Sequence, residues 1–266
     1  MLVLIKGAGD LASGIACRLR RCGMDVVMTD LPHPTTVRWS VAFSPAIYRG
    51  TAQVEGLSAR QAEDPDQARS ILARGEIAVL AADTPLSALA PDALVDAILA
   101  KKNLGTRMDD APVVVGVGPG FTAGADCHAV VETQRGHNLG RVLYQGSPAP
   151  NTGVPGDIGG YTVQHLLRAP ADGVFQPLAA IGDLVSAGDT VAVVGDTPVT
   201  AAISGVVRGL LPQGTPVRAG MKAGDVDPRG IKEYCFTVSD KSNAVAGGVL
   251  EAILTCWKGG GVRVRL

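Results

Sequence analysis

Residues 1–30, MLVLIKGAGDLASGIACRLRRCGMDVVMTD, determine the class of fold that we expect. Residues 2–5 form a short apolar run that ends just before Gly7. Apolar residues then recur at helical spacing over 11–19, and a second apolar run follows at 26–28. The pattern predicts a strand, a tight glycine turn, a helix and a second strand, which together make a βαβ unit.

Further apolar segments extend this pattern over roughly the first 120 residues. The segments IAVLAA at 77–82 and VVVGV at 113–117 are predicted to be strands, and the segment at about 91–102 is predicted to be a helix between them. Two more strands are expected within 128–133 and 141–145. Alternating strands and helices favour a parallel sheet, so we predict an α/β, Rossmann-like domain.

The composition limits the functional classes. Lys and Arg number 24 against 25 acidic residues, a formal charge of −1, so no excess of positive charge is present for nucleic acid or an anionic membrane surface. No apolar run approaches the ~18 residues of a membrane span, and the opening segment is too short for a signal peptide. The five cysteines form no CxxC pair, which argues against a zinc ribbon or a disulfide framework and favours the cytoplasm. We therefore expect soluble partners, with no nucleic acid and no membrane.

An internal repeat lies nearer the C-terminus. Seven residues between 169 and 188 recur 32 positions later, and each half consists of short apolar segments separated by glycines. Neither half can bury a face alone, so the two are expected to close on each other as a small sandwich. The repeated residues are Ala169, Gly173, Val174, Leu178, Gly182, Val185 and Gly188, which return as Ala201, Gly205, Val206, Leu210, Gly214, Val217 and Gly220.

The hairpin at 181–191 in this repeat resembles that of the biotinyl/lipoyl-type barrel-sandwich hybrid domains. The resemblance implies the fold of that family. The family carries its modified lysine on the turn between the halves, which reads GDTPV at 195–199 and contains no lysine. A carrier function is therefore not expected.

These patterns divide the chain into three parts. Residues 1–165 are predicted to form the Rossmann-like domain with its glycine-rich loops. Residues 166–226 are predicted to form a small all-β domain of the barrel-sandwich type, inserted near the C-terminus. Residues 227–266 contain a capped helix that begins at Ser239 or Asp240 and is expected to return to the α/β domain.

The first candidate binding feature is the GxGxxA turn between the first strand and helix. Gly7, Gly9 and Ala12 supply the pattern, and Asp30 ends the second strand. Glycines let backbone N–H groups approach a diphosphate, the helix N-terminus attracts its charge, and the acid can bind ribose hydroxyls. Asp10 would repel a diphosphate unless it turns away to cap the helix. The turn is consistent with dinucleotide binding and equally with a glycine turn that serves packing.

A second glycine-rich loop follows the strand at 113–117. Such a loop can expose successive N–H groups to an anion at the carboxyl end of a parallel strand. The alternative is a glycine-rich turn that binds no ligand. The candidate cofactor contacts from this loop and from the later PNTG segment are Gly118, Pro119, Gly120, Phe121, Asn151 and Thr152.

A polar cluster follows this loop and supplies the candidate catalytic residues. If 128–133 is a strand, His128 and Glu132 share a face and can act as an acid/base pair or as two metal ligands, although no metal site is assigned. Arg135 and His137 add positive charge, and Cys127 is a candidate nucleophile or a buried small apolar residue. The sequence contains no P-loop GK[ST], HExxH or GxSxG motif, which argues against those hydrolytic chemistries.

Stretches along nearly the whole chain resemble the YqeB family of accessory proteins. They include IKGAGDLASGIACRL at 5–19, VVVGVGPGFTAGADCHAVVETQRGHNLGRVLYQG at 113–146, PNTGVPGDIGG at 150–160 and SDKSNAVAGGVLEAIL at 239–254. The resemblance implies a protein that accompanies selenium-dependent molybdenum hydroxylases of the xanthine dehydrogenase type and helps to mature their molybdenum centre. It implies a pathway and no established reaction, so whether the protein is an enzyme stays open.

Three functions are compatible with these features. The first is a cofactor-handling protein that holds a phosphorylated ligand, a nucleotide or the molybdenum pterin cofactor, near His128 and Arg135 and passes sulfur or selenium through Cys127. The second is an NAD(P)-dependent oxidoreductase, in which Asp30 favours NAD. The third is a non-catalytic scaffold whose sandwich domain docks the hydroxylase. The expected partners are the hydroxylase, its maturation proteins and the small ligand, and a homo-oligomer is left open.

Overall fold

The computed structural model describes residues 1–257, which form two compact units. The first unit contains Met1–Pro34, Ala42–Thr152 and the chain from Val238 onward. The second unit contains Thr35–Val41 and Gly153–Thr237. None of the described helices is long and apolar enough to cross a membrane.

A nine-stranded sheet forms the centre of the first unit. Its strands are β1 (Leu2–Lys6), β2 (Asp25–Asp30), β3 (Thr51–Val54), β4 (Leu57–Gln61), β5 (Ile77–Ala81), β6 (Ala93–Asp96), β7 (Val113–Val117), β8 (Ala129–Val131) and β9 (Val142–Leu143). The helices of this unit are α1 (Asp10–Arg21), α2 (Ala46–Arg49), α3 (Pro65–Leu72) and α4 (Asp240–Cys256), with short 3-10 turns at Ser87–Leu89 and Met108–Asp110.

The strand order confirms the predicted α/β class. The order is β3-β4-β5-β2-β1-β6-β7-β8-β9, and only the two edge pairs, β3 with β4 and β8 with β9, are antiparallel. The six central strands, from β5 to β8, follow the order of the doubly wound dinucleotide-binding fold. The strands predicted at 77–82 and 113–117 are β5 and β7.

The helix predicted at about 91–102 is wrong. Ala93–Asp96 forms β6, which lies between β1 and β7 in the middle of the sheet and is buried along its whole length. A short apolar run that is buried on both faces has no periodicity that separates a strand from a helix. The residues that follow, 97–107, form a loop at the carboxyl end of the sheet.

Helix α4 carries the chain back to the sheet of the first unit and packs against α1, β7 and β8. Its start was predicted correctly, because Ser239 is the N-cap and its hydroxyl accepts a hydrogen bond from the N–H of Ser242 at 3.1 Å. Gly14 allows the close approach of the two helices, since a Cβ there would lie 2.7 Å from the Cβ of Ser242. Buried residues such as Ile15 and Val249 join the helices to one core.

The second unit consists of two four-stranded antiparallel sheets with the orders β10-β17-β15-β12 and β14-β13-β11-β16. Short 3-10 turns at Trp39–Val41 and Lys232–Cys235 belong to this unit. The strands are β10 (Leu166–Arg168), β11 (Gly173–Pro177), β12 (Leu184–Val185), β13 (Thr190–Val194), β14 (Thr197–Thr200), β15 (Gly205–Leu210), β16 (Pro216–Val217) and β17 (Lys222–Asp227).

The internal repeat determines how these strands pair. Strand β11 of the first half pairs with β16 of the second, and β15 of the second half pairs with β12 of the first. The registers are equivalent under the 32-residue shift: Gly173 is opposite Val217, and Gly205 is opposite Val185. The two halves therefore close on each other, as the repeat predicted, because each half provides a pairing edge that the other lacks.

Candidate functional site

The candidate site lies at the carboxyl edge of the parallel sheet in the first unit. The chain runs from β1 to β2 on one side and continues through β6 and β7 on the other, so the strand order reverses between β1 and β6. Open α/β sheets bind ligands at such a reversal, outside the carboxyl ends of the strands. The loops after β1, β6, β7 and β8 and the N-terminus of α4 provide the residues of this edge.

The GxGxxA turn is fixed by packing and hydrogen bonds with neighbouring segments of the first unit. Gly7 has φ +97°, and a Cβ there would lie 2.9 Å from the carbonyl oxygen of Ala97. Ala8 is fully buried, and its carbonyl accepts a hydrogen bond from the N–H of Ser44 at 2.9 Å. Ala12 is also buried. Gly7 is thus required by the close approach of the loop after β6, whether or not a ligand binds.

Asp30 supports this turn directly. One carboxylate oxygen accepts the N–H of Ala8 at 3.1 Å and the other accepts the N–H of Leu31 at 2.8 Å. Burial raises the pKa of Asp30, and the two N–H groups oppose that rise. Asp30 ends β2 at the position from which such an acid reaches a ribose, but here both oxygens already bind the backbone.

The loop after β7 is packed from both sides. A Cβ on Gly118 would lie 2.7 Å from the hydroxyl oxygen of Thr133, and one on Gly120 would lie 2.6 Å from the backbone nitrogen of Lys102. Phe121 is 4% exposed, and Pro119 has no N–H to offer an anion. The structure therefore explains the glycines of this loop by packing against the neighbouring loops.

His128 and Glu132 flank β8, but the structure does not bring them together as an acid/base pair. The Nδ1 atom of His128 accepts the backbone N–H of Val114 at 3.0 Å. Glu132 is 6% exposed, and its carboxylate accepts three backbone N–H groups, those of Thr133, Gln134 and Ala149, at 2.6 to 2.7 Å. His128 precedes β8 and binds β7 at the amino ends of these parallel strands, opposite the carboxyl edge, whereas Glu132 follows β8 and holds the backbone of the loops at the carboxyl edge.

Cys127 does not have the environment of a nucleophile. Its side chain is fully buried, and burial raises the pKa of its thiol to about 11. The nearby carboxylates of Asp126 and Asp96 raise this pKa further, while backbone N–H groups oppose them. A thiol in this state is neutral at physiological pH and is enclosed by the core, so the role in sulfur or selenium transfer is not supported.

The remaining predicted residues are exposed. Arg135 forms a bidentate ion pair with Asp240 at the start of α4, with N–O distances of 2.8 and 3.3 Å. His137, Asn151 and Thr152 lie on the surface of the first unit. The ion pair joins Arg135 to the start of α4 at the edge of the sheet.

Lys241 is the residue of this edge that sequence reasoning missed. It lies in the first turn of α4, where the helix dipole disfavours a cation, and its side chain is partly buried. Burial and the positive charge of Arg135 lower the pKa of Lys241, and the carboxylates of Asp10, Glu132 and Asp240 oppose this effect. Among residues 1–257, no group forms an ion pair with Lys241 within 4 Å. A lysine in the first turn of a predicted helix was the available signal.

A second network that the sequence did not indicate anchors the loop after β6. Asp96 is 2% exposed and accepts the hydroxyl proton of Thr106 at 2.7 Å, and the ammonium of Lys6 donates to the same hydroxyl at 2.7 Å. Leu99 and Lys101 have left-handed backbone conformations, with φ of +62° and +63°. Backbone strain of this kind persists where the surroundings impose it, and it is concentrated at functional sites.

The site suits an anion better than a metal ion. Within the described part of the chain, no group of three or more His, Cys, Asp or Glu side chains is placed to hold a metal. Lys241 and Arg135 lie at the start of α4, and the N-terminus of α1 is close by, because the hydroxyl of Ser242 is 3.2 Å from a carboxylate oxygen of Asp10. Two helix N-termini and two cations attract a phosphate or carboxylate, and the carboxylates of Asp10, Asp240 and Glu132 oppose this attraction.

Comparison with known proteins supports the resemblance to the YqeB family. No protein-family model matches the chain. The chain is 50% identical over 255 residues to the "uncharacterized protein YqeB" of Escherichia coli K12, an alignment that covers 95% of this chain and 47% of that protein. The chain thus spans about half the length of the curated relative that it matches.

Two solved structures show weak similarity. An aspartoacylase family protein from Mesorhizobium loti is 21% identical, with 24% of this chain and 22% of that chain covered and a TM-score of 0.22. The ectoine utilization protein EutE (DoeB) from Ruegeria pomeroyi is 16% identical, with coverage of 79% and 61% and a TM-score of 0.23. TM-scores this low define no shared fold.

Proposed function

We propose that the protein is an accessory factor in the maturation of selenium-dependent molybdenum hydroxylases of the xanthine dehydrogenase type. In this role it binds a phosphorylated small molecule, a nucleotide or the molybdenum pterin cofactor, at the carboxyl edge of the first unit. The resemblance to the YqeB family supports the pathway. The position of Lys241 in the first turn of α4 supports the binding site.

Lys241 carries the proposal because burial and the charge of Arg135 disfavour its ammonium more than the carboxylates of Asp10, Glu132 and Asp240 stabilise it, which lowers its pKa. The ammonium is partly buried, lies at the positive end of a helix and is close to Arg135. A bound phosphate reverses each of these effects, since it pairs with both cations and with the helix dipole. Functional sites often contain groups whose local placement is unfavourable until the ligand is present.

A binding experiment tests this site. We expect purified protein to bind at least one of NADH, AMP and inorganic phosphate saturably in a calorimetric titration, and Lys241→Met to weaken that binding at least about tenfold. Lys232→Met removes an exposed lysine of the second unit and is the matched control, which we expect to bind as the unmodified protein does. No saturable binding, or equal losses in both variants, would contradict the site.

A cellular experiment tests the pathway separately. A partner hydroxylase is purified from cells with and without this protein, and its molybdenum and selenium contents are measured by elemental mass spectrometry. We expect one or both elements to be lost without the protein and in the Lys241→Met strain, but not in the Lys232→Met strain. Unchanged contents in cells without the protein would refute the maturation role even if ligand binding is found.

Chalcogen transfer through Cys127 is not part of this proposal, because its thiol is buried and neutral. We expect the hydroxylase purified from a Cys127→Ala strain to contain its normal amounts of molybdenum and selenium. A selective loss of selenium in that strain, with the protein still folded, would restore the thiol to the mechanism.

The second candidate function is an NAD(P)-dependent oxidoreductase, which the central strand order and Asp30 favour. In this case NADH binds more tightly than NADPH, because the carboxylate of Asp30 repels a 2′-phosphate, and Asp30→Asn weakens the binding of NADH more than that of NADPH. Asp30 also holds the turn through Ala8, so the comparison between ligands separates ribose binding from a general loss of the turn. Equal weakening of both ligands would argue against this function.

Two finer assignments accompany the main proposal. We infer that the second unit is related to the barrel-sandwich hybrid domains, because its halves exchange strands in equivalent registers. We also infer that the protein works in the cytoplasm, where its five free cysteines remain reduced.

A further inference from the structure

The outer face of the sheet that contains β11 is exposed and carries no charge. Phe175 points into the core of the second unit, so its neighbours in β11 point outward, and Val174 is 48% exposed. Residues paired across an antiparallel sheet share a face, and Leu178, which follows β11, is 64% exposed. We call this surface the β11 face; it consists of Val174, Gln176, Leu178, Val193, Pro198 and Pro216.

The internal repeat provides the equivalent face on the other sheet, and that face is covered. Under the 32-residue shift, the outward residues of β11 and the leucine after it correspond to Val206, Arg208 and Leu210. All three are buried, because two segments lie against β15. These covering segments are Thr35–Val41 and the 3-10 turn Lys232–Cys235.

The segment Thr35–Val41 makes the closest contact with β15. The carbonyl of Val37 accepts the N–H of Leu210 at 2.8 Å, and a Cβ on Gly209 would lie 3.1 Å from the Cγ of Arg38. Val37 and Trp39 pack against the core of the unit. A short segment with two apolar side chains, two positions apart, therefore covers the equivalent face in the second half.

Charge distinguishes the two faces. Burial raises the pKa of Asp225 on the covered face, but the charges of Lys222, Arg208 and Arg38 hold it below its usual value. The covering segment thus supplies a cation that matches this face. At the positions of Arg208 and Asp225, the β11 face has an amide and an apolar side chain. A segment that matches the β11 face therefore has no charge at the position of Arg38.

The backbone shows how such a segment would be held. In the pairing with β13, Pro177 takes the place that Leu210 has opposite β17, and proline has no N–H. The N–H of Leu178 donates to the carbonyl of Val191 at 2.9 Å. The backbone bond between Leu210 and Val37 therefore has no equivalent here, and side-chain packing must hold the occupant.

We propose that the β11 face docks a short, uncharged segment of a partner protein that carries two apolar side chains two positions apart. The segment covers this face as Thr35–Val41 covers the equivalent face of β15. Contiguous apolar side chains on a protein surface commonly mark interaction sites. The docking surface belongs to the second unit and does not depend on the proposed phosphate site at Lys241.

The test uses the full chain and two fluorescein-labelled peptides followed by fluorescence anisotropy. One peptide, TTVRWSV, copies residues 35–41, and the other, TTVQWSV, carries Arg38→Gln. We expect saturable binding of TTVQWSV, and at least about threefold weaker binding of TTVRWSV, because the β11 face offers its guanidinium no carboxylate. Equal or tighter binding of TTVRWSV would contradict the match in charge.

Two leucines provide a matched pair of variants. Leu178→Asp places a charge on the β11 face and should weaken TTVQWSV at least about tenfold. Leu184→Asp is the control, because Leu184 is 74% exposed and lies on β12 of the other sheet, and it should change binding less than about twofold. If Leu178→Asp disturbs the fold in circular dichroism, Gln176→Lys charges the same face from an exposed position and should weaken binding at least about fivefold.

Three outcomes overturn the proposal. The first is that neither peptide binds saturably. The second is that the variants at Leu178 and Leu184 lose binding equally. The third is a dimer, measured by light scattering across a range of protein concentrations, that Leu178→Asp dissociates, because the occupant of the β11 face is then a second copy of this chain.

Discussion

The two halves of the repeat in the second unit are built on one pattern and diverge where the second half carries buried charges. Their strands pair in equivalent registers from Gly173 and from Gly205. The equivalence ends at Arg208, where β15 contains a bulge against β17, whereas β11 pairs regularly with β13. Strand β15 therefore has one more residue than β17 within this pair, at the point where the buried charges begin.

This difference distinguishes the residues that both halves need to fold from the charged residues that only the second half carries. Both halves keep the glycines and valines of their turns, which set the register. The second half alone has Arg208 and Asp225 where the first has Gln176 and Val193. Arg208 and Asp225 are each 6% exposed. Burying charge opposes folding unless every charge is paired, so the second half is the specialised one.

The largest effect is expected when the first half's residue replaces Asp225. Asp225→Val removes the counter-charge of the Lys222 ammonium, which is 2.9 Å from the carboxylate, and leaves the nearby Arg208 with the carboxylate of Asp227 at 3.5 Å. We expect a loss of about 3–5 kcal/mol in urea unfolding. Adding Arg208→Gln, also the first half's residue, should recover part of it, and a single variant as stable as the unmodified protein would show that the ion pairs of Asp225 contribute no net stability.

A smaller effect separates the two equivalent leucines. Leu210 is 2% exposed and Leu178 is 64% exposed. We expect Leu210→Ala to reduce the free energy of unfolding by about 3 kcal/mol, because it leaves a cavity, and Leu178→Ala to change it by less than about 0.5 kcal/mol. Thermal and urea unfolding measure both variants, and similar losses would mean that the halves do not differ in burial at this position.

Substitution of Gly224, which is paired with Leu210 beside the bulge, tests whether the bulge constrains the geometry of these strands. A Cβ on Gly224 would overlap the carbonyl oxygen of Gly209, whereas the equivalent Ala192 in the first half carries a Cβ in a regular pair. We expect Gly224→Ala to cost about 2–3 kcal/mol and Ala192→Gly about 1 kcal/mol. If Gly224→Ala is tolerated in urea unfolding, the two halves are closer in geometry than their registers indicate.

The smallest effect is a pH dependence in the second half. His165 is 5% exposed and precedes β10, which pairs with β17 of this half. Burial lowers the pKa of His165 from 6.5, the charge of Asp225 opposes the shift, and Lys222 adds to it. The unfolded chain then binds a proton before the folded one as the pH falls below 6.5, so stability should decrease with acidification in this window.

We expect the melting temperature of the unmodified protein to fall by about 2 °C more between pH 7 and pH 5 than that of His165→Phe. Differential scanning calorimetry at matched ionic strength makes the comparison. Parallel pH profiles for the two proteins would show that His165 does not contribute to acid sensitivity.

Much of the fold could be predicted from local patterns. The run before Gly7 and the helical spacing after it identify β1 and α1, and Ser239 identifies the start of α4. The 32-residue shift predicted that two halves would close on each other. Strand β6 could not be predicted, because its burial between β1 and β7 depends on the sheet around it.

The candidate site was less accessible to sequence reasoning. Glycines after a strand suggest a phosphate cradle, yet Gly118 and Gly120 are explained by contacts with Thr133 and Lys102, which are distant in sequence. Side-chain alternation suggested a reactive pair at His128 and Glu132, but alternation does not show which backbone groups those side chains bind.

The sequence by itself determined the βαβ start, the repeat whose halves close on each other, the α4 cap and the resemblance to the YqeB family, because each depends on residues close together or at a fixed spacing. The tertiary structure alone decided that Cys127 is buried and that Lys241 lies beside Arg135 and Asp10. It alone showed that the β11 face is exposed while the equivalent face of β15 is covered. Burial and charge environment depend on residues far apart in the chain, and these set the chemistry available to each side chain.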